Sequence, residues 1–281
     1  MELLNSIEEC LQWRRGQEGS VGFIPTMGAL HGGHLSLVRL SKQRCKNTIV
    51  SIFINPTQFA DNEDLGSYPQ ALRQDLKYLE IEAVDAVFLP GVDQMYQNNK
   101  EDYYFDTPLA FKLEGKSRPR FFKGVTTVVH KLFLIVKPTH AVFGQKDAQQ
   151  LLIIKKMISK NQYGITLIEG PSIRNEDGLA LSSRNNYLNQ DEQNMASNVY
   201  AGLLKMKAAL NKGEKKPETL KLLFKNHLDL FPQLKIDYIS IACKNTLEEV
   251  ETIVNQPLLV SAAVYINSVR LIDNFSYFSS T

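Results

Sequence analysis

At 281 residues, with 43% hydrophobic and 22% charged residues, the chain is long enough for two cored domains, and its composition rules out the disordered and fibrous classes. A net charge of +2 supplies no global field toward nucleic acid or a membrane surface. Three scattered cysteines, Cys10, Cys45 and Cys243, argue against a disulfide framework or a cysteine zinc site and fit a reducing, cytoplasmic setting.

The first residues lack a basic region followed by an apolar segment, so no signal peptide is expected, and no uncharged run approaches a membrane span. Residues 3–17 read as an opening helix, with Leu4, Ile7 and Leu11 on it and Gly16 to Gly19 ending it. Val21 to Pro25 is a short apolar run, the mark of a buried strand. After it comes a turn with Gly28, Gly32 and Gly33, bracketed by His31 and His34, then a helix carrying Leu35, Leu37, Val38 and Leu40. Glycine lets backbone approach a ligand closely, the N–H groups of a helix start attract anions, and imidazole can neutralise phosphate charge as it develops. The stretch reads as a phosphate site at the end of a first parallel strand, or as a plain strand-to-helix turn capped by two histidines. It matches neither the Walker loop nor G-x-G-x-x-G.

Residues 48–54, TIVSIFI, have the pattern of a parallel strand covered on both faces. The run stops at Asn55-Pro56-Thr57-Gln58-Phe59, which places the amides of Asn55 and Gln58 just past a strand's carboxyl end, where open α/β sheets bind ligands. A simple Asn-Pro turn accounts for the same residues. A helix is predicted over 69–80 with Leu72, Leu76 and Leu79 on one stripe, a strand over 83–89, a loop over 90–100, a short strand over 103–105 and a short helix after Pro108. Residues 114–123 read as a polar loop carrying Lys116, Arg118, Arg120 and Lys123, either a lid over a nucleotide or a solvated basic loop. Residues 124–137 form the clearest amphipathic helix, with Val125, Val128, Val129, Leu132, Phe133 and Val136 on one face, and Pro138 stops it. Its first turn also suits an apolar wall of a substrate pocket. His140 to Phe143 is the next strand, and Gly144-Gln145-Lys146-Asp147 opens a helix through Ile158. Lys146 is a candidate phosphate cation; Asp147 suits the same site or a helix cap. Residues 165–169 are the last strand of this alternation. After a turn at Arg174 to Gly178, Ser182, Ser183 and Arg184 offer donors to phosphate oxygens, or a helix cap and a surface arginine.

The pattern then changes. A helix over 191–210, a charged linker at 212–216 and a helix over 217–227 precede antiparallel-looking strands at 235–242, 258–266 and 269–272, the last two joined at Asn267-Ser268. This is α+β rather than βαβ, so a boundary is placed within 171–178. The fold class expected is α/β: a parallel-sheet domain over 1–174 and a smaller C-terminal α+β domain over 175–281.

Four motifs, PTMGALHGGH, FINPTQF, FGQKDAQQL and DGLALSSRN, closely resemble in order and spacing the signatures of the pantoate–β-alanine ligase family. The likeness covers nearly the whole chain, through the terminal VRLIDN. Nucleotidylyltransferases and class I aminoacyl-tRNA synthetases share the HxGH and the Ser-rich loop but not INPTQF or GxKDxQQ. The resemblance implies a Rossmann-like N-terminal domain binding nucleotide and pantoate, with the C-terminal domain covering it. It implies ATP- and Mg²⁺-dependent condensation of (R)-pantoate with β-alanine through a pantoyl-adenylate, releasing pyrophosphate and then AMP. By the same likeness His34 is the expected proton donor, assisted by His31, while Lys146, Ser182, Ser183 and Arg184 hold phosphates. Met27, Gly28, Ala29, Leu30, Gly32 and Gly33 are expected along the ATP phosphates, with Gly144, Gln145, Asp147, Ile173 and Leu181 at the nucleotide. Gln58, Gln150 and Asn55 are expected at pantoate, with Pro25, Met27 and the 125–129 helix face against its gem-dimethyl group. Asp75 is an expected Mg²⁺-side carboxylate, although phosphates hold most of such a metal. The implied partners are ATP, pantoate and β-alanine, with no nucleic acid or membrane, and a homodimer. One departure stands in the basic loop: where the family pattern is SRPGHFxGV, this chain has Arg120 and Phe121 in place of Gly and His, so no histidine acts there.

Overall fold

The computed structural model describes residues 1–60, 63–96 and 103–278. The chain forms two compact units, one of residues 1–145 and 149–171, the other of 146–148 and 172–281.

In chain order the first unit contains β1 (Glu2–Leu4), α1 (Ile7–Arg15), β2 (Val21–Thr26), α2 (Gly32–Arg44), β3 (Asn47–Ile52), α3 (Leu72–Ile81), β4 (Ala86–Phe88), α4 (Val92–Tyr96), α5 (Glu114–Ser117), α6 (Phe121–Val136), β5 (His140–Gly144), α7 (Ala148–Asn161) and β6 (Thr166–Gly170). The strands make one parallel sheet in the order β1-β4-β3-β2-β5-β6. Its middle strands are near-continuous apolar runs because helices cover both faces: Ile24, Val50, Val87 and Val142 pack with Leu37, Val38 and Leu79, all buried.

Several expected elements differ. Residues 3–17 are not one helix. The Ser6 hydroxyl accepts the Glu9 N–H and caps α1, leaving Leu3 and Leu4 to pair with Val87 and Phe88 as an edge strand. The expected loop over 90–100 contains α4, and its residues 97–100 lie outside the described set. Residues 103–105 are not a strand; they run alongside α6, where the Thr127 hydroxyl donates to the Tyr103 carbonyl at 2.6 Å.

The second unit contains α8 (Gln190–Ala196), α9 (Asn198–Asn211), α10 (Pro217–Leu228), β7 (Leu234–Cys243), β8 (Leu258–Ile266) and β9 (Val269–Tyr277), the strands forming an antiparallel sheet in that order. The expected single helix over 191–210 is broken at Ser197, whose hydroxyl donates to the Asn194 carbonyl at 2.6 Å. The last strand runs five residues beyond its expected end at Ile272, pairing with β8 up to Tyr277. Buried Leu203, Met206, Leu220, Phe224, Val260 and Val264 form this unit's core. Among the described residues no helix is long and apolar enough to cross a membrane.

Candidate active site

In the first unit β2 and β5 part toward the sheet's carboxyl edge. β2 pairs with β3 from Val21 to Thr26 but with β5 only at Gly22 and Phe23. Beyond Phe23 the strands part, Ile24 to Thr26 staying with β3 and Val142 to Gly144 staying with β6. This is where the strand order reverses, the usual ligand position in open α/β sheets.

The chain leaving β2 is pinned there. The Thr26 hydroxyl donates to the Ser51 carbonyl at 2.7 Å and accepts the Gly28 N–H at 3.3 Å. Gly28 has φ +83° and Ala29 φ +50°, a left-handed pair that an ordinary side chain disfavours at both positions. Asp75, on α3 and only 1% exposed, fixes the bend: its two oxygens accept the N–H groups of Ala29 and Leu30 at 2.9 and 2.8 Å. Burial raises the Asp75 carboxyl pKa, and these two bonds oppose the rise. Asp75, expected beside Mg²⁺, thus holds backbone.

Helix α2 begins immediately after. His31 is its N-cap: its Nδ1 accepts the Gly33 N–H at 3.1 Å, while the His34 Nδ1 accepts the His31 N–H at 3.4 Å. The rings lie 4.1 Å apart, tilted by 34°. Gly32 and Gly33, expected within the turn, form the helix's first turn instead; the turn glycine is Gly28. Because each Nδ1 accepts from backbone, each neutral ring carries its proton on Nε2. The capping role and the donor role, alternatives in the sequence, do not exclude each other, because the cap uses Nδ1 alone.

Past β3, Asn55 is also 1% exposed. Its Nδ2 donates to the Gln58 Oε1 and the Gly124 carbonyl, both at 3.1 Å. Its Oδ1 accepts from the Thr57 N–H and hydroxyl and from the Tyr96 hydroxyl. Asn55, expected at the substrate, thus ties Gln58, Thr57, Gly124 and Tyr96 together. Gln58 and Met27, from two different strand ends, meet: Gln58 Nε2 lies 3.0 Å from Met27 Sδ. Pro25 sits on β2 opposite Ser51, and Val125, Val128 and Val129 are buried on α6.

Gly144 ends β5 and Gln145 follows it. Of the two adjacent glutamines beginning α7, Gln150 is partly exposed, whereas Gln149 is 4% exposed. Gln149 accepts the Glu114 N–H at 2.9 Å and donates to the Leu109 and Lys112 carbonyls, each at 2.7 Å. Sequence reasoning missed it. The available signal was the pair itself, since adjacent helical residues point about 100° apart and only one faces inward.

The expected basic loop over 114–123 is a short helix, α5, running into α6. Arg118 is clamped by Glu63 through two hydrogen bonds of 2.5 and 2.7 Å, and its guanidinium lies 3.7 Å from the Phe121 ring centre. The aromatic that departs from the family pattern thus stacks on the arginine.

The second unit holds the other expected phosphate groups. Arg174 bridges to Ala180, with the Leu181 N–H donating to the Ile173 carbonyl at 2.9 Å, so residues 173–181 form a small hairpin. Arg174 anchors it with a bidentate pair to buried Asp273 and a stack over Tyr200. Burial lowers the Arg174 pKa, but Asp273 outweighs it and the pKa rises. The Ser182 hydroxyl accepts the Arg184 N–H at 3.3 Å and caps a 3-10 turn in which Ser183 is buried. The Asn274 amide donates to the Lys146 carbonyl at 2.7 Å, and Lys146 Nζ lies 3.7 Å from the Asp147 carboxylate. Among the described residues no group of three or more His, Cys, Asp or Glu side chains is arranged to hold a metal.

The family model described as pantoate-beta-alanine ligase matches residues 2–276. The chain is 47% identical to the pantothenate synthetase of Thermosipho melanesiensis over 279 residues, covering 98% of each. It resembles the crystal structure of pantothenate synthetase from Thermus thermophilus with a TM-score of 0.91 and 37% identity, covering 98% of this chain and 99% of that one. It also resembles the Francisella tularensis pantoate-beta-alanine ligase, solved complexed with beta-gamma ATP and beta-alanine, with a TM-score of 0.80 and 34% identity over 98% of this chain and 97% of that one.

Proposed function

We propose, given that the chain belongs to the pantoate–β-alanine ligase family, that it joins pantoate to β-alanine in two steps through a pantoyl-adenylate. A carboxylate is a poor acyl donor. A pantoate carboxylate oxygen first bonds to the α-phosphorus of ATP, and the bond from that phosphorus to the bridging oxygen of pyrophosphate breaks. The β-alanine amine then attacks the pantoyl carbonyl carbon, loses a proton, and AMP departs with the carboxylate oxygen it received. ATP and β-alanine as ligands are supported by the Francisella complex.

The observation that carries the reading is the start of α2. Two imidazoles share one helix N-terminus, each with Nδ1 accepting a backbone N–H, which leaves Nε2 as the proton-bearing nitrogen of a neutral ring. Charge moves onto the phosphate oxygens as pyrophosphate leaves, and preorganised donors there lower the barrier. His34, assisted by His31, is the proton donor in this reading. Met27 to Leu30 line the phosphates on the pinned bend, with Gly144 and Gln145 beside the nucleotide. Gln58 and Gln150 bind pantoate. Lys146, Ser182, Ser183 and Arg184 hold phosphate, with Asp147, Ile173 and Leu181 at the nucleotide.

A protein-held Mg²⁺ does not fit the described residues: Asp75 gives both oxygens to backbone and no carboxylate cluster surrounds it. Mg²⁺ enters as part of the substrate, carried by the nucleotide phosphates.

The test is pyrophosphate release. With ATP and pantoate alone, one equivalent per active site is expected in a burst. Sustained AMP and pantothenate are expected only once β-alanine is added. Pyrophosphate that appears only with β-alanine present would contradict the two-step order.

A further inference from the structure

We propose that Tyr96 is a positioning residue for pantoate: through Asn55 it fixes the amide of Gln58 so that its N–H, not its carbonyl, faces the substrate. This rests on the functional reading above.

One end of the Asn55 amide faces the Thr57 N–H at 3.3 Å, a group that only donates, so that end is oxygen. The other end faces the Gly124 carbonyl at 3.1 Å, a group that only accepts, so that end is nitrogen. With Asn55 set this way, Gln58 must turn its Oε1 to the Asn55 Nδ2, at 3.1 Å, and its Nε2 is left on the Met27 side. Gln58 therefore offers a donor. It suits a carboxylate or hydroxyl oxygen, as pantoate carries, and disfavours a ligand with an N–H at that place.

Two hydroxyls complete the Asn55 oxygen, from Thr57 at 2.9 Å and from Tyr96. Thr57 belongs to the turn being held. Tyr96 comes from α4, 41 residues away, and ties the turn to a separate element. Tyr96 is itself seated: its ring lies 6.3 Å from that of Phe53 and 4.8 Å from the Lys131 ammonium, which donates to the Met95 carbonyl at 2.8 Å.

Tyr96→Phe keeps the ring and removes only the hydroxyl. Steady-state kinetics of the full chain should show KM for pantoate rising about five-fold, with KM for ATP and kcat within about two-fold of the parent. In a Gln58→Ala background the same change should leave KM for pantoate unaltered, because Tyr96 acts through Gln58. Thr57→Val, which removes the companion hydroxyl, should mimic Tyr96→Phe. An unchanged pantoate KM, an equal effect with and without Gln58, or equal rises in both KM values would overturn the assignment. A parent enzyme with no pantoate-dependent pyrophosphate release would instead overturn the functional reading, and this inference with it.

Discussion

The carboxylate of Asp75 reaches Ala29 and Leu30 across 46 and 45 residues of sequence and receives both of their N–H groups inside the protein. The bend it holds includes the left-handed pair Gly28 and Ala29, a conformation that persists only where its surroundings fix it. Asp75→Asn keeps the size but turns one donor against another. We expect it to lower unfolding free energy by about 1–3 kcal/mol in urea titrations and to reduce kcat as the His31–His34 helix start loosens. A variant with parental stability would refute the role. The sequence marked His31 and His34 because short spacing at a helix start is a local property. It could not show the bonds of Asp75 or Asn55, because several of their partners come from distant elements. A carboxylate near a phosphate motif suggests metal until its oxygens are seen to be taken.

At the scale of elements, α6 packs against the Asn55–Gln58 turn. Its stripe of Val125, Val128, Val129, Leu132, Phe133 and Val136 was legible from helical period, and all six are buried. Period alone did not show that Gly124, Thr126 and Thr127 are buried as well, because a second contact lies off the stripe. A Cβ at Gly124 would fall 2.4 Å from the Thr57 carbonyl oxygen, so α6 presses directly on the Asn55–Gln58 turn. Gly124→Ala should force that turn away. Its expected signature is a raised pantoate KM together with about 1–3 kcal/mol of lost stability, read by kinetics and by denaturant titration. A variant with normal pantoate KM would show that the turn tolerates displacement. The basic stretch before α6 misled for the opposite reason: composition reads as loop, whereas Glu63 and Phe121 immobilise Arg118.

At the scale of the whole molecule, the parallel α/β sheet and the smaller antiparallel sheet were legible because buried parallel strands read as continuous apolar runs and the later strands do not. The parting of β2 from β5 was not, since pairing length depends on neighbours in space. Each unit also carries a sheltered histidine. Burial lowers the pKa of His130, stacked 3.8 Å from the Tyr103 ring, and that of His227, whose Nδ1 lies 3.0 Å from Lys205 Nζ; Lys131 and Lys205 add to the respective effects. The unfolded chain therefore binds protons first as pH drops below the ordinary histidine value of 6.5. Stability contributed by the neutral rings is full above that value and declines below it. Denaturation midpoints should fall between about pH 7.5 and 5.5, and replacing both histidines by glutamine should flatten the slope. An unchanged slope would assign the pH dependence elsewhere.

In the proposed reaction, pantoate is activated by bonding one of its carboxylate oxygens to phosphorus. The direct measurement uses pantoate labelled with ¹⁸O in the carboxylate, with ATP and β-alanine, and mass analysis of the AMP formed. One labelled oxygen is expected in each AMP and none in pyrophosphate. Unlabelled AMP would contradict the adenylate, and label in pyrophosphate would mean that the wrong phosphorus is attacked.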